Sequence, residues 1–191
     1  MLLVVGLGNP GKKYGKNRHN VGFVVVDALR ERHGLPDFKE KFSGVWSRGP
    51  ALGQDVVLLK PQTYMNLSGD SVQPASAFFK VAVTEIIVVH DELDIPFAEV
   101  RLKQGGGHAG HNGLRSMIER LASPEFVRVR VGIGRPPPDF KGDVADFVLQ
   151  DFDPLERAET PAVITRACDA IDRIFKDGVK SAMNVTNTKP K

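Results

Sequence analysis

Residues 1–20 read MLLVVGLGNPGKKYGKNRHN and contain the motif on which the fold assignment depends. The branched apolar run at residues 2–5 predicts a buried strand. Residues 6–11 then match G-x-G-x-x-G, the spacing of a dinucleotide-binding loop. That fingerprint also requires a helix that begins at the glycines and faces the pyrophosphate. Residues 12–19 are polar and lack an apolar stripe, so they predict a loop instead, and a nicotinamide-dependent enzyme is disfavoured.

Strand and helix signals alternate along the rest of the chain. Apolar residues at helical spacing predict helices at residues 21–33, 68–79, 114–121 and 155–175. Short apolar or alternating runs predict strands at residues 42–48, 55–59, 85–89, 99–103 and 127–133. Gly34 stands where the first helix needs a C-terminal cap.

Residues 42–59 have the pattern of an antiparallel hairpin, which implies a sheet of mixed direction. We therefore expect an α/β fold with one twisted mixed sheet surrounded by helices. One domain is expected over residues 1–183, and residues 184–191 are predicted to form a disordered tail.

Composition is that of an ordinary globule, with 41% hydrophobic and 26% charged residues in a chain of 191. Apolar runs of bilayer-spanning length and a signal-peptide pattern are both lacking, so we expect a cytoplasmic protein without membrane partners. The single cysteine, Cys168, excludes an internal disulfide and lies in a helical apolar pattern typical of packed core.

The formal charge of +3 and a pI near 9.0 favour an anionic partner. The densest basic group is Lys12, Lys13, Lys16 and Arg18. Two pairs recur at strand spacing, which directs each pair to one face: Arg101 with Lys103, and Arg128 with Arg130. Charge alone is more typical of a solvated surface.

Polar residues gather in four loops next to predicted strands: residues 8–11 with 18–20, 63–66, 90–92 and 105–113. Because ligands of open α/β sheets bind beyond the carboxyl ends of strands, we expect these loops to share one crevice. They contribute histidines, carboxylates and asparagines. That set suits hydrolysis, with an imidazole to deprotonate water, a carboxylate to orient it and amides to hold the substrate.

Structural roles compete with these interpretations. Asn9 also suits a turn, and Asn66 and Asn112 also suit helix caps. Five glycines between residues 105 and 113 exceed what a connector needs, and they favour close approach of a ligand and loop mobility. His108 and His111 with Asp91 lack the spacing of known metal-binding motifs, so we expect no metal.

Five segments, in this order, carry a resemblance to a known family: VVGLGNPG with RHNVGF, KPQTYMNLSG, VVHDELDIP, GGGHAGHNGLRS and VRVGIGRP. The chain resembles the bacterial peptidyl-tRNA hydrolases over almost its whole length. The resemblance implies a phosphorylase/hydrolase-like fold and a monomeric cytosolic esterase without metal or cofactor. Such an enzyme cuts the ester between a peptide and the 3′ ribose of tRNA, recycling tRNA from prematurely released peptidyl-tRNA.

Position by position, the resemblance implies that His19 is the general base and that Asp91 orients its ring. It implies that Asn9 helps to distinguish blocked from free aminoacyl-tRNA, and that Asn66 and Asn112 hold the peptide and the attacking water. The opening glycines then form a tight turn that presents Asn9 and leads to His19.

The same resemblance places Tyr14 and Tyr64 at the tRNA acceptor end and His111 in the same cleft. Lys103 and Arg130 match the family's contacts to the 5′ phosphate of tRNA. The chain departs from the family pattern at Ala109, where glycine is common, and at Ile95.

A module that only captures tRNA ends is the competing non-enzymatic hypothesis, and composition and charge permit it. The predicted pair of His19 with Asp91 disfavours it, because binding alone does not need a base held by a carboxylate.

Overall fold

The computed structural model describes residues 1–188. Its strands are β1 (Leu2–Gly6), β2 (Lys39–Lys41), β3 (Gly44–Ala51), β4 (Gln54–Pro61), β5 (Ile86–Glu92), β6 (Val100–Gln104) and β7 (Val127–Gly132). Its helices are α1 (Val21–His33), α2 (Gly69–Phe79), α3 (Asn112–Leu121), α4 (Val144–Val148), α5 (Pro154–Asp177) and α6 (Val179–Thr186).

The strands form one sheet in the order β2-β3-β4-β1-β5-β7-β6. β1 lies between β4 and β5 and runs parallel to both, and β7 runs parallel to β5. β2, β3 and β6 pair antiparallel with their neighbours. The predicted single-domain α/β fold with a mixed sheet is therefore confirmed.

Helices cover both faces of the sheet. One apolar core lies under α1 and α5 and includes Val25, Leu29 and Ile171. The other lies under α2 and α3 and includes Val72 and Met117. Burial on both faces explains why β1 and β5 are continuous apolar runs instead of alternating ones. Cys168 belongs to the first core, and burial raises the pKa of its thiol to about 11.

Gly6, the last residue of β1, and Gly22, in α1, allow close packing of a strand against a helix. A Cβ on Gly6 would lie 2.3 Å from the carbonyl oxygen of Gly22, and one on Gly22 would lie 2.4 Å from that of Val89. Residues 12–14 and 18–20 form short 3₁₀ turns, and α1 starts only at Val21. The predicted absence of a helix at the glycines is confirmed.

Three short elements were not predicted: β2, α4 and α6. Each spans eight residues or fewer, which is too short for hydrophobic periodicity to mark it, and depends on tertiary packing. The helices of residues 1–188 include none that is long and apolar enough to cross a membrane.

The prediction of a disordered tail from residue 184 is wrong for its first five residues. Residues 184–186 belong to α6, whose Ala182 is buried against the first core. The side chain of Asn187 accepts from the backbone N–H of Leu102 and donates to its carbonyl, both at 2.8 Å, and so covers part of the free edge of β6. Residues 189–191 lie outside the described residues.

Candidate active site

Three side chains from separate elements meet at the carboxyl ends of β1 and β5. His19 belongs to the turn before α1, Asp91 is the second-to-last residue of β5, and His111 directly precedes α3. His19 Nδ1 lies 2.8 Å from Asp91 Oδ2, and His111 Nε2 lies 2.8 Å from Asp91 Oδ1. One carboxylate therefore bridges two imidazoles.

Hydrogen bonds assign the tautomer of each imidazole. His111 Nδ1 accepts from the backbone N–H groups of Gly113 and Leu114, so its proton sits on Nε2 and is donated to Asp91. His19 donates its Nδ1 proton to the other oxygen of Asp91. In the neutral form its Nε2 then carries a free lone pair, which is the form that a base requires.

Burial and charge set the ionisation of the pair. Burial alone would raise the pKa of Asp91, but the charges of His19 and His111 and their hydrogen bonds lower it, so the carboxylate stays ionised. Burial alone would likewise lower the pKa of His19. The charge of Asp91 and its hydrogen bond outweigh burial and raise that pKa above its ordinary value.

His90 is a third imidazole beneath the site. Its ring is buried, lies 5.1 Å from the ring of His111 in a T-shaped arrangement, and bonds through Nδ1 to the carbonyl of Asp91 at 2.8 Å. Burial is the largest cause that lowers the pKa of His90 to about 3. His90 is therefore neutral and adds no positive charge to the site.

Asn9 joins two of the loops. Its side-chain oxygen accepts from the backbone N–H of Met65 at 2.7 Å. Asn20 holds its backbone from both sides, since Asn9 N donates to Asn20 Oδ1 and Asn20 Nδ2 donates to Asn9 O. Because the Asn9 oxygen is occupied, the amide offers its NH₂ group as a donor. The side chain links neighbouring loops and does not bond its own turn.

These groups line a cleft of about 660 Å³. The sequence-predicted residues that line it are Asn9, His19, Tyr64, Asn66, Asp91, His111 and Asn112. Tyr14, Lys103 and Arg130 are not among its lining residues. The ring of Tyr14 lies beside Lys13, whose Nζ is 4.8 Å from the ring centroid.

Helix capping does not account for the two exposed asparagines. His111, and not Asn112, caps α3 with its side chain. Asn66 lies in a 3₁₀ turn, and the N-cap position of α2 is Ser68. Both amides are exposed at the cleft, where they can bond a ligand.

The glycine loop, residues 105–113, connects β6 to α3. Gly105, Gly106 and Gly110 have positive φ, and so does Ala109, with a φ of 48°. Glycine adopts this conformation without the steric cost that a Cβ imposes. That cost is a physical reason for the glycine that the family resemblance leads one to expect at position 109, and Ala109 adopts the same conformation with a Cβ.

One wall of the cleft was missed by the sequence analysis. It is apolar and consists of Val144, Ala145, Val148 and Leu149, from α4 and the residue after it. The pattern that marks α4 is a capping box, in which Asp143 and Asp146 each bond the other's backbone N–H.

Arg18, from the predicted basic group, holds this wall and is buried. Its guanidinium donates to the carbonyl of Phe147 at 3.2 Å and to Glu156 at 3.0 Å, and it stacks 4.0 Å from the ring of Phe147. Its backbone N–H donates to Gln150. Arg18 is therefore a structural residue and not part of a solvated basic surface.

We expect Arg18→Met to lower the free energy of unfolding by roughly 2–4 kcal/mol, somewhat less than breaking a fully buried pair because Glu156 is partly exposed. Urea denaturation measures this change, and hydrogen exchange of the α4 amides reports whether the wall opens. Lys16→Met, at an exposed position two residues away, is the control. Equal stability of the two variants would contradict the structural role of Arg18.

Four basic residues share one face at the β6 edge of the sheet. In the register of β6 and β7, Arg101 lies opposite Arg130, and Lys103 lies opposite Arg128. Opposite residues of an antiparallel pair point to the same face, as do residues two apart. Burial, and then the charge of Arg101, lower the pKa of Arg130, while Glu92 opposes them.

Metal binding is the other chemistry that the geometry permits. One ligand atom from each of His19, Asp91 and His111 lies within 4.8 Å of the others. Hydrogen bonds already join these atoms in pairs, however, and His111 Nδ1 is occupied as a helix cap. An ion would have to displace both imidazole protons from Asp91.

Comparison with known proteins identifies the relatives of this chain. The family model described as peptidyl-tRNA hydrolase matches residues 3–191. The peptidyl-tRNA hydrolase of Sorangium cellulosum is 59% identical over all of this chain and 86% of its own length. That of Geotalea daltonii is 50% identical over 98% of this chain and 96% of its own. The crystal structure of peptidyl-tRNA hydrolase from Acinetobacter baumannii has a TM-score of 0.90 at 41% identity, covering 100% of this chain and 97% of that one.

Proposed function

Because this chain belongs to the peptidyl-tRNA hydrolase family and hydrolyses the ester of peptidyl-tRNA, we propose that its general base is His19. The observation that carries the proposal is the hydrogen bond of 2.8 Å between His19 Nδ1 and Asp91 Oδ2. It leaves Nε2 as the basic nitrogen in a cleft large enough for the peptide end of the substrate.

In the proposed reaction, Nε2 of His19 removes a proton from water while the water oxygen attacks the ester carbonyl. Asp91 stabilises the imidazolium that forms, because its carboxylate remains charged. The imidazolium then gives its proton to the ribose oxygen as the ester bond breaks. The products are a peptide carboxylate and tRNA with a free hydroxyl.

The amides supply positioning in this proposal. The NH₂ group of Asn9 is a donor to the substrate carbonyl, and it distinguishes blocked from free aminoacyl groups. Asn66 and Asn112 hold the peptide and the attacking water from the two exposed rims of the cleft. Tyr64 contacts the tRNA end at the cleft, and Tyr14 contacts it outside the cleft.

The test of the proposal is release of N-acetylated amino acid from blocked aminoacyl-tRNA, measured beside the unblocked ester. We expect rapid cleavage of the blocked ester alone, unaffected by excess chelator, because no step of this mechanism uses a metal. Loss of activity in chelator would instead support a metal at His19, Asp91 and His111. Tight tRNA binding without cleavage would support the capture module.

We propose further that Lys103 and Arg130 bind the 5′ phosphate of tRNA. Their shared sheet face also carries Arg101, which pairs with Glu99, and Arg128, which bonds backbone carbonyls, so we assign the anionic ligand to Lys103 and Arg130. They lie outside the cleft, as expected for residues that contact tRNA away from the scissile ester.

Lys103→Ala is expected to weaken tRNA binding and to reduce the slope of log Kd against log salt by about 1, because one phosphate contact is lost. Fluorescence titration of tRNA at several salt concentrations measures both. Lys176→Ala is the control, since Lys176 is exposed at the end of α5 near the β3–β4 turn. A fall in kcat with unchanged affinity and slope would contradict the phosphate contact.

We also propose that the enzyme works as a monomer in the cytosol. One chain supplies all the catalytic groups of the mechanism above, and the lone cysteine is a buried free thiol, as suits a reducing compartment. Light scattering of the protein with and without tRNA tests the monomer.

A further inference from the structure

Arg128 is a buried cation that the proposed mechanism does not use. It is only 3% exposed, and it is not among the residues that line the cleft. Its guanidinium donates to the carbonyls of Gly106, at 2.5 Å, of Gly107, and of Pro124, at 3.4 Å. It also lies 4.8 Å over the ring of Phe126. One side chain thus holds the start of the glycine loop to β7.

The start of the glycine loop touches the proposed phosphate contact. Gly106 has a φ of 98°, and a Cβ there would lie 2.7 Å from Nζ of Lys103. The ammonium group of Lys103 therefore packs directly on the backbone that Arg128 holds. Because Arg128 lies opposite Lys103 in the β6–β7 register, the two side chains approach the loop from adjacent strands.

The end of the same loop touches the proposed catalytic pair. The backbone N–H of His111 donates to the carbonyl of His108, and the side chain of His111 caps α3 and donates to Asp91. Few residues separate this point from Gly107, and the segment between contains Ala109 and Gly110, both with positive φ. The free loop has many accessible conformations, so contacts with the rest of the protein are needed to hold the observed conformation.

We propose that Arg128 is a positioning residue that holds the glycine loop in the conformation that seats Lys103 and orients His111 against Asp91. The planar guanidinium suits this role because its fork donates to two adjacent carbonyls at once. The inference rests on the proposed function, since it assigns the loop a part in both tRNA binding and catalysis.

Arg128→Gln tests the inference, because glutamine keeps a donor but loses the fork and the charge. We expect kcat for blocked aminoacyl-tRNA to fall about 10–100-fold, the usual effect of a partner that orients a functional group. The affinity for tRNA should fall as well, and the salt slope by no more than the contribution of Lys103, because the buried guanidinium itself makes no phosphate contact. Circular dichroism establishes that the variant is folded.

Gly106→Ala tests the same link without removing a buried charge. A Cβ at this position strains a positive φ and pushes on Lys103, so we expect both weaker tRNA binding and a kcat lowered about tenfold, at the lower end of the same range. Gly107→Ala is the matched control, because a Cβ there meets no atom within 4 Å and its φ is not in the left-handed region. The kcat and the tRNA affinity of Gly107→Ala should stay within about twofold of those of the wild type.

Each outcome of these experiments supports the inference or overturns it. A lower salt slope with normal kcat in Arg128→Gln would make Arg128 a phosphate contact and overturn the inference. Wild-type kcat in folded Arg128→Gln, or equal behaviour of Gly106→Ala and Gly107→Ala, would overturn it too. If Arg128→Gln does not fold, the pair of glycine variants decides. Absence of hydrolysis by the wild type would instead refute the proposed function.

Discussion

Replacing His19 with alanine is expected to lower kcat for blocked aminoacyl-tRNA by about 10²–10⁴-fold, the usual contribution of a positioned general base. The variant keeps the cleft and the amides, so tRNA affinity should change little. Single-turnover hydrolysis at saturating enzyme measures the chemical step apart from product release.

His33→Ala is the matched control for this experiment. His33 pairs with Asp172 at 2.7 Å, much as His19 pairs with Asp91, but it lies at the end of α1 and outside the cleft. Its replacement should leave kcat unchanged. If His19→Ala retained activity near that of the wild type, His19 would not be the base.

The pH profile of the wild type tests the same assignment. His19 acts as a base only when its ring is neutral, so kcat should rise with pH and level off above the pKa of His19. Because Asp91 raises that pKa, the midpoint should lie above the ordinary histidine value of about 6.5. Asp91 stays ionised through this range and contributes no second step.

Replacing Asp91 with asparagine is the second large effect, and we expect a loss in kcat on the order of 10²–10⁴-fold. The reason is the tautomer of His111. Its Nδ1 accepts from two backbone N–H groups, so Nε2 must donate, and the single oxygen of asparagine must turn toward it. The NH₂ group then faces His19 and forces its proton onto Nε2, the nitrogen that should act as base.

The same variant should move the acid limb of the pH profile to lower pH. The carboxylate raises the pKa of His19 by its charge and hydrogen bond, and the amide has no charge. Asp172→Asn, which alters the matched pair with His33, should leave the limb in place. An unshifted limb in Asp91→Asn would show that the titrating group is not His19.

Most of the fold could be predicted because its elements are marked by local patterns. The alternation of Val127, Val129 and Val131 with two arginines predicts a half-buried strand. β7 buries its apolar face as predicted, but Arg128 on the opposite face is buried as well. α4 and α6 could not be predicted in this way. They are short, and they form because Arg18 holds the first and the core around Ala182 holds the second.

By itself, the sequence indicated the polar groups of the cleft but not its apolar wall. Glycine turns and strand ends are local features, and they placed His19, Asp91 and Asn9 at one edge of the sheet. Only the tertiary structure decided how those groups bond. The tautomer of His111, the burial of Arg18 and the hold of Arg128 on the glycine loop depend on contacts between residues distant in sequence, whose register and burial no local pattern encodes.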